Sequence, residues 1–173
     1  MPDPAPIYLD TNAYVELREH RSEASDRIFR LFWAEFADSP VIITSELTLA
    51  EVLVKPMEDA LARNDYTLVN DYQNLIDNKG MLQRVVPVDR AILHQAAHIR
   101  AKLRTDHNRV VKLPDAIHLA TVIREKCVTF ISGDDALLTA AQAIKAEHGR
   151  PVRIHSFRDG PALDAIAAEI RRT

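Results

Sequence analysis

The chain has 173 residues, 47% of them apolar and 27% charged, with a formal net charge of −3. This composition excludes a disordered or fibrous chain, and the length suits one domain, residues 1–173, within the usual single-domain range of roughly 100 to 200 residues. A net charge of −3 supplies no general attraction for nucleic acid, so such a partner would have to be held by a local patch.

The lone Cys127 rules out an intramolecular disulfide and fits a reducing compartment. No apolar run approaches the roughly 18 residues needed to span a bilayer, and the start "MPDPAPIYLD" lacks the basic and apolar segments of a signal peptide. A cytoplasmic protein with no membrane partner is the expectation.

Taken in chain order, short β-rich runs appear at "PIYLD" (6–10), "PVIIT" (40–44), "RVVPV" (84–88), "VTFIS" (128–132) and "VRIHSF" (152–157), separated by stretches with helical periodicity. Strands alternating with helices predict an α/β fold with a mainly parallel sheet. The segment 23–39 carries Ile28, Leu31, Phe32 and Phe36 on one stripe, and 89–104 carries Ile92, Ala96, Ile99 and Leu103, the spacing of core-facing helices. Residues 57–79 read as a longer helical region, broken near 63–65, with Leu68, Val69, Tyr72, Leu75 and Ile76 as its apolar face and Gly80 as its stop. Tyr14, Leu17, Leu68 and Tyr72 exceed what one core face absorbs, and some of them are expected to line a groove for a dimer mate or a helix of a partner protein.

Ligands of an open parallel sheet bind at the carboxyl ends of its strands. Asp10 closes the first strand, and Asp134 follows the fourth after one glycine, so the two face one crevice if those strands are neighbours. Asp115 opens the helix "PDAIHLATVIRE", and Glu51 lies within the otherwise apolar helix "SELTLAEVLVKP". Each aspartate alone is explained by helix capping or dipole complementarity, and Glu51 by an exposed pair with Lys55. Gathered in one crevice they repel: a like pair at 4 Å costs about 4 kcal/mol at an effective dielectric of 20. A hard divalent cation such as Mg²⁺ or Mn²⁺ relieves that repulsion and prefers oxygen ligands. The chemistry that follows is metal-assisted attack on phosphate.

In this order and spacing, "IYLDTNAYVEL", "VIITSELTLAEVL", "KLPDAIHLATV" and "FISGDDALL" resemble the four acidic motifs of PIN-domain ribonucleases, specifically VapC-type toxins of toxin–antitoxin pairs. The resemblance spans residues 7 to about 157. It implies a PIN-like three-layer sandwich with a central five-stranded sheet flanked by helices, and a metal-dependent endoribonuclease with its acids at Asp10, Glu51, Asp115 and Asp134. It places Thr11, Asn12 and Ser132 beside the site, and implies a homodimer, an RNA substrate and a small antitoxin. Two features depart from the pattern: a longer helical region at about 57–83, and Asp135, which doubles the fourth acid. Asp134 is expected at the metal and Asp135 at the start of the helix. A degenerate domain acting only through partners, and a DNA- or structure-specific nuclease, are the competing readings.

Among the remaining residues, His94 and His98 lie off the apolar stripe of their helix and read as surface histidines. His118, three residues after Asp115, reads as a partly buried packing residue with an outside claim to touch substrate. Cys127 reads as a buried structural thiol. The stretch 102–114 holds Lys102, Arg104, Arg109 and Lys112 against Asp106, and Arg109 and Lys112 are candidate phosphate-binding residues beside Asp115.

Overall fold

The computed structural model describes residues 6–32, 42–77, 83–149 and 151–170; Phe36 and Gly80 lie outside them. Five strands, β1 (Ile7–Leu9), β2 (Ile42–Ser45), β3 (Gln83–Val86), β4 (Thr129–Ser132) and β5 (Arg153–Ser156), form one sheet in the order β3-β2-β1-β4-β5, every pair parallel. The helices are α1 (Thr11–Glu19), α2 (Glu23–Phe32), α3 (Glu46–Arg63), α4 (Thr67–Asp77), α5 (Arg90–His107), α6 (Leu113–Arg124), α7 (Asp135–Ala143) and α8 (Gly160–Ile170). The α/β class and the flanked five-stranded sheet expected from the sequence are therefore present. β1 lies at the centre, and its neighbour is β4, with Leu9 in register with Ile131.

Side chains alternate across the strands and build a core on each face. Tyr8, Ile43 and Phe130 pack with α5, α6 and α7, while Ile7, Leu9, Ile42 and Ile131 pack with α1, α2, α4 and α8. The expected stripes Ile92/Ala96/Ile99/Leu103 and Ile28/Leu31/Phe32 are buried. Helix α6 is buried continuously from Ala116 to Val122, because it lies against the sheet on one side and α5 on the other.

Helix α3 runs through buried Pro56 to Arg63 and ends where Asn64 adopts a left-handed conformation (φ 53°), within the 63–65 stretch read as a break. Pro56 removes one backbone donor without breaking the helix, and α4 follows after residues 64–66. One expectation needs correction: Tyr14 and Tyr72 do not line an open groove. Both are buried; Tyr14 packs edge-on against Phe32 and donates to Gln83 Oε1 at 3.0 Å, and the Tyr72 hydroxyl donates to Glu19. The exposed apolar side chains include Val54 in the middle of α3, Leu61 and Tyr66 at the α3–α4 turn, Val110 ahead of α6 and Leu113 at its first position. Among the described residues no helix is long and apolar enough to cross a membrane.

Gly133, between β4 and Asp134, lies against Phe157: a Cβ there would come within 2.3 Å of the ring. Gly133→Ala should therefore destabilise by about 1–3 kcal/mol, the usual cost of overpacking, measured by urea unfolding. Gly133→Ala/Phe157→Leu should recover part of that loss.

Candidate active site

Asp10 follows the central strand and caps α1, accepting from the Ala13 backbone N–H at 3.1 Å through Oδ1. Only 1% of its surface is exposed. Its Oδ2 accepts from the Ser132 hydroxyl at the end of β4 and, at 3.5 Å, from the Asn12 amide. The end of β1 is held from the other side by Thr44, whose hydroxyl donates to Leu9 O at 3.0 Å and lies 2.7 Å from that of Thr48. These bonds fix where the strand ends and aim its last carboxylate.

Glu51 stands on the second turn of α3. Its sequence alternative fails, because Lys55 pairs with Asp59 at 2.7 Å. Glu51 Oε2 instead accepts from the Thr11 hydroxyl and lies 2.9 Å from His118 Nε2. Asp115 sits half-buried in the first turn of α6, behind Pro114. Asp134 is the N-cap of α7, with Oδ1 accepting from Ala136 N at 2.8 Å and Leu137 N at 3.0 Å. Asp134 lines the cleft and Asp135 is the first residue of α7, exposed in its first turn, the division expected for the pair; the cap on that helix is an additional role of Asp134.

The four acids line one cleft of about 180 Å³ together with Thr11, Asn12, His118 and Leu137. Ser132 stands behind it on Asp10. Thr11 and Ser132 are thus wired to the carboxylates, while Asn12 is largely exposed. Lys112 is exposed beside Asp115 and draws its carboxyl downward, whereas half-buried Arg109 does not line the cleft. Lys102 pairs with Asp106 at 2.9 Å and Glu147 at 3.5 Å, which lowers the local positive excess. His94 and His98 are exposed and Cys127 is buried, as read from the sequence.

Charge and burial act differently on each acid. Burial pushes the Asp10 carboxyl above its ordinary range, outweighing His118 and the hydrogen bonds from Ser132, Ala13 and Asn12. Asp115 is also raised, first by burial and then by the charge of Asp134. Burial pushes Glu51 up too, yet the hydrogen bonds from His118 and Thr11 prevail and hold it below the usual range. Among the described residues no three acidic, histidine or cysteine side chains converge into a preformed metal cluster. The donor set nevertheless fits a hard cation. Carboxylate oxygens face the cleft, both nitrogens of its histidine are engaged, and no thiol is near.

Sequence reasoning undervalued His118. It is buried, and Tyr8 of β1 lies on its Nδ1 at 2.8 Å. Its three-residue spacing from Asp115 was the available signal; the partner 110 residues earlier gave none.

Against this geometry, the model of the PIN domain family matches residues 7–143. The chain belongs to the PIN domain family. No protein of curated function matches it. Among solved structures it resembles a chain of FitAcB from Neisseria gonorrhoeae (22% identity, TM-score 0.61, covering 88% of this chain and 99% of that one). It also resembles a chain of VapBC2 from Rickettsia felis, solved on a DNA fragment from its promoter (14%, 0.57, 87% and 98%). A third relative is VapC20 from Mycobacterium tuberculosis, a sarcin–ricin loop cleaving toxin (20%, 0.56, 78% and 94%). At these identities the likeness establishes a shared fold.

A raised carboxyl binds its proton more tightly folded than unfolded. Its stabilising contribution is present below the ordinary carboxylate range near about 4 and is lost as pH rises through the raised value. Glu51, lowered, acts in the opposite sense, losing its contribution as pH falls through its value. In metal-free protein Asp115→Asn should therefore unfold at a higher temperature than wild type at neutral pH, and the gap should close as pH falls toward 4. A gap independent of pH would contradict this account.

Proposed function

We propose that the protein is a Mg²⁺- or Mn²⁺-dependent endoribonuclease and the toxin of a toxin–antitoxin pair, built as one PIN-like domain and working in the cytoplasm. The observation that carries the reading is the meeting of four carboxylates from four separate segments, Asp10, Glu51, Asp115 and Asp134, in one cleft at the carboxyl ends of β1 and β4. Nothing in the packing of the fold requires four acids there, and their mutual repulsion opposes it. The toxin–antitoxin descriptions of several structural relatives support the biological setting.

Asp10, Asp115 and Asp134 would hold the metal, and Glu51 would share in that or accept a proton from the attacking water. When bound, the metal supplies hydroxide at neutral pH and neutralises charge on the leaving oxygen. The chain's own part is geometric. The cap on α1 and the hydroxyls of Ser132 and Thr11 keep the carboxylates aimed, so little reorganisation is left for the reaction. Lys112, with Arg109 behind it, would guide the phosphate backbone of single-stranded RNA past Asp115. The exposed Val54, Leu61 and Tyr66 offer apolar surface for an antitoxin or for a second copy in a homodimer.

Asp10→Asn should abolish cleavage of single-stranded RNA in Mg²⁺ or Mn²⁺ while leaving the far-ultraviolet circular dichroism of the protein unchanged; full activity would sink the assignment. RNA binding by that inactive variant tests the basic residues. Lys112→Ala should flatten the dependence of log affinity on log salt by about 0.7, and Arg109→Ala/Lys112→Ala by about 1.4, the single-strand value per phosphate contact. An unchanged slope would return 102–114 to ordinary solvated surface.

A further inference from the structure

His118 is buried to 98% at the floor of the cleft, and carboxylate chemistry alone leaves it without a task. It joins three elements. Nδ1 is 2.8 Å from the Tyr8 hydroxyl on β1, and Nε2 is 2.9 Å from Glu51 Oε2 on α3 and 3.3 Å from the Thr11 hydroxyl on α1. A carboxylate only accepts hydrogen bonds, so the ring nitrogen facing Glu51 carries a proton whether the imidazole is neutral or charged. The Thr11 hydroxyl donates to the same oxygen. Two donors therefore converge on Oε2, and Oε1 keeps its acceptor capacity for the cleft.

We propose that His118 is a positioning residue for Glu51: braced by Tyr8 at Nδ1, it grips Oε2 together with Thr11 and so selects the oxygen of Glu51 that is left for metal and water. The inference rests on the metal-dependent reading above. Glu51 comes from α3, whose backbone is anchored near the site through Thr48 and Thr44, but its flexible side chain still has several rotamers to choose from. The Nε2 grip removes that freedom before the metal arrives. The downward pull of the same hydrogen bonds on the Glu51 carboxyl is the electrostatic trace of the contact.

Glutamine and asparagine at position 118 separate positioning from mere filling of space. The amide nitrogen of glutamine reaches about as far as imidazole Nε2, whereas that of asparagine reaches only about as far as Nδ1. Mn²⁺ affinity, measured by calorimetry without RNA, and cleavage kinetics should both be compared across wild type, His118→Gln, His118→Asn, Tyr8→Phe and Asp10→Asn. The expectation is a loss of about 10- to 100-fold in Mn²⁺ affinity and kcat for His118→Asn, the usual effect of removing a group that orients a metal ligand, with KM for RNA little changed. His118→Gln should retain most of both, and Tyr8→Phe should fall between. In the metal-free protein the buried Nε2–H proton should be visible in the downfield proton spectrum and move upfield in Glu51→Gln. Wild-type Mn²⁺ affinity in His118→Asn, equal losses in the glutamine and asparagine variants, or an imidazole proton indifferent to Glu51→Gln would overturn the proposal. A wild type that binds no Mn²⁺, or an Asp10→Asn protein that binds it equally well, would instead overturn the metal-dependent reading. Should His118→Asn fail to fold, Tyr8→Phe and the Glu51→Gln spectrum decide.

Discussion

Repulsion among the carboxylates gathered at the ends of β1 and β4 is the constraint around which this molecule is arranged. Each acid is held in place by something that its neighbours' charge cannot dislodge. Asp10 is clamped by a backbone amide and the Ser132 hydroxyl, Asp134 by the first turn of α7, and Glu51 by Thr11 and His118. Asp115 is positioned by the start of α6 behind Pro114 and takes the largest share of its neighbours' charge. Three of the four acids are therefore aimed by hydrogen-bond donors of the chain itself, and their remaining acceptor capacity is left to what enters from outside.

Helix capping is what allows such a cluster to be built from ordinary local structure. Asp10 and Asp134 would be reasonable residues at their positions in any protein, since each satisfies amides that the first turn leaves unpaired. Each gives one oxygen, Oδ1, to its helix. Because two caps meet at adjacent strand ends, a structural role on one oxygen becomes a chemical role on the other. The parallel pairing of β1 with β4 brings them together, and an antiparallel neighbour would have sent the two caps to opposite ends of the strands.

Much of this was legible from the chain alone, for physical reasons that also explain the gaps. Asp10, Asp115 and Asp134 announce themselves because strand-to-helix transitions are written in local residue order, and Glu51 because a charge on an apolar helix demands a reason. What the sequence did not show for the pair Asp134–Asp135 is that Asp134 also caps the helix, since the phase of a helix start is decided by backbone angles that either aspartate could adopt. Tyr14 and Tyr72 were misjudged because a residue's depth depends on how many helices share its face. His118 was undervalued because its worth lies in Tyr8 and Glu51, which are remote in sequence, and no periodicity records a hydrogen bond.

The pairing of Leu9 with Ile131 also has a consequence in time. The central strand emerges first during synthesis, but one of its two neighbours is made more than a hundred residues later, and non-local pairings of this kind close late in folding. Asp10 cannot meet Ser132 or Asp134 until β4 and the start of α7 have been made. A chain interrupted before them carries Asp10 at a strand end with neither of these partners, so the cleft is among the last features of the fold to take shape.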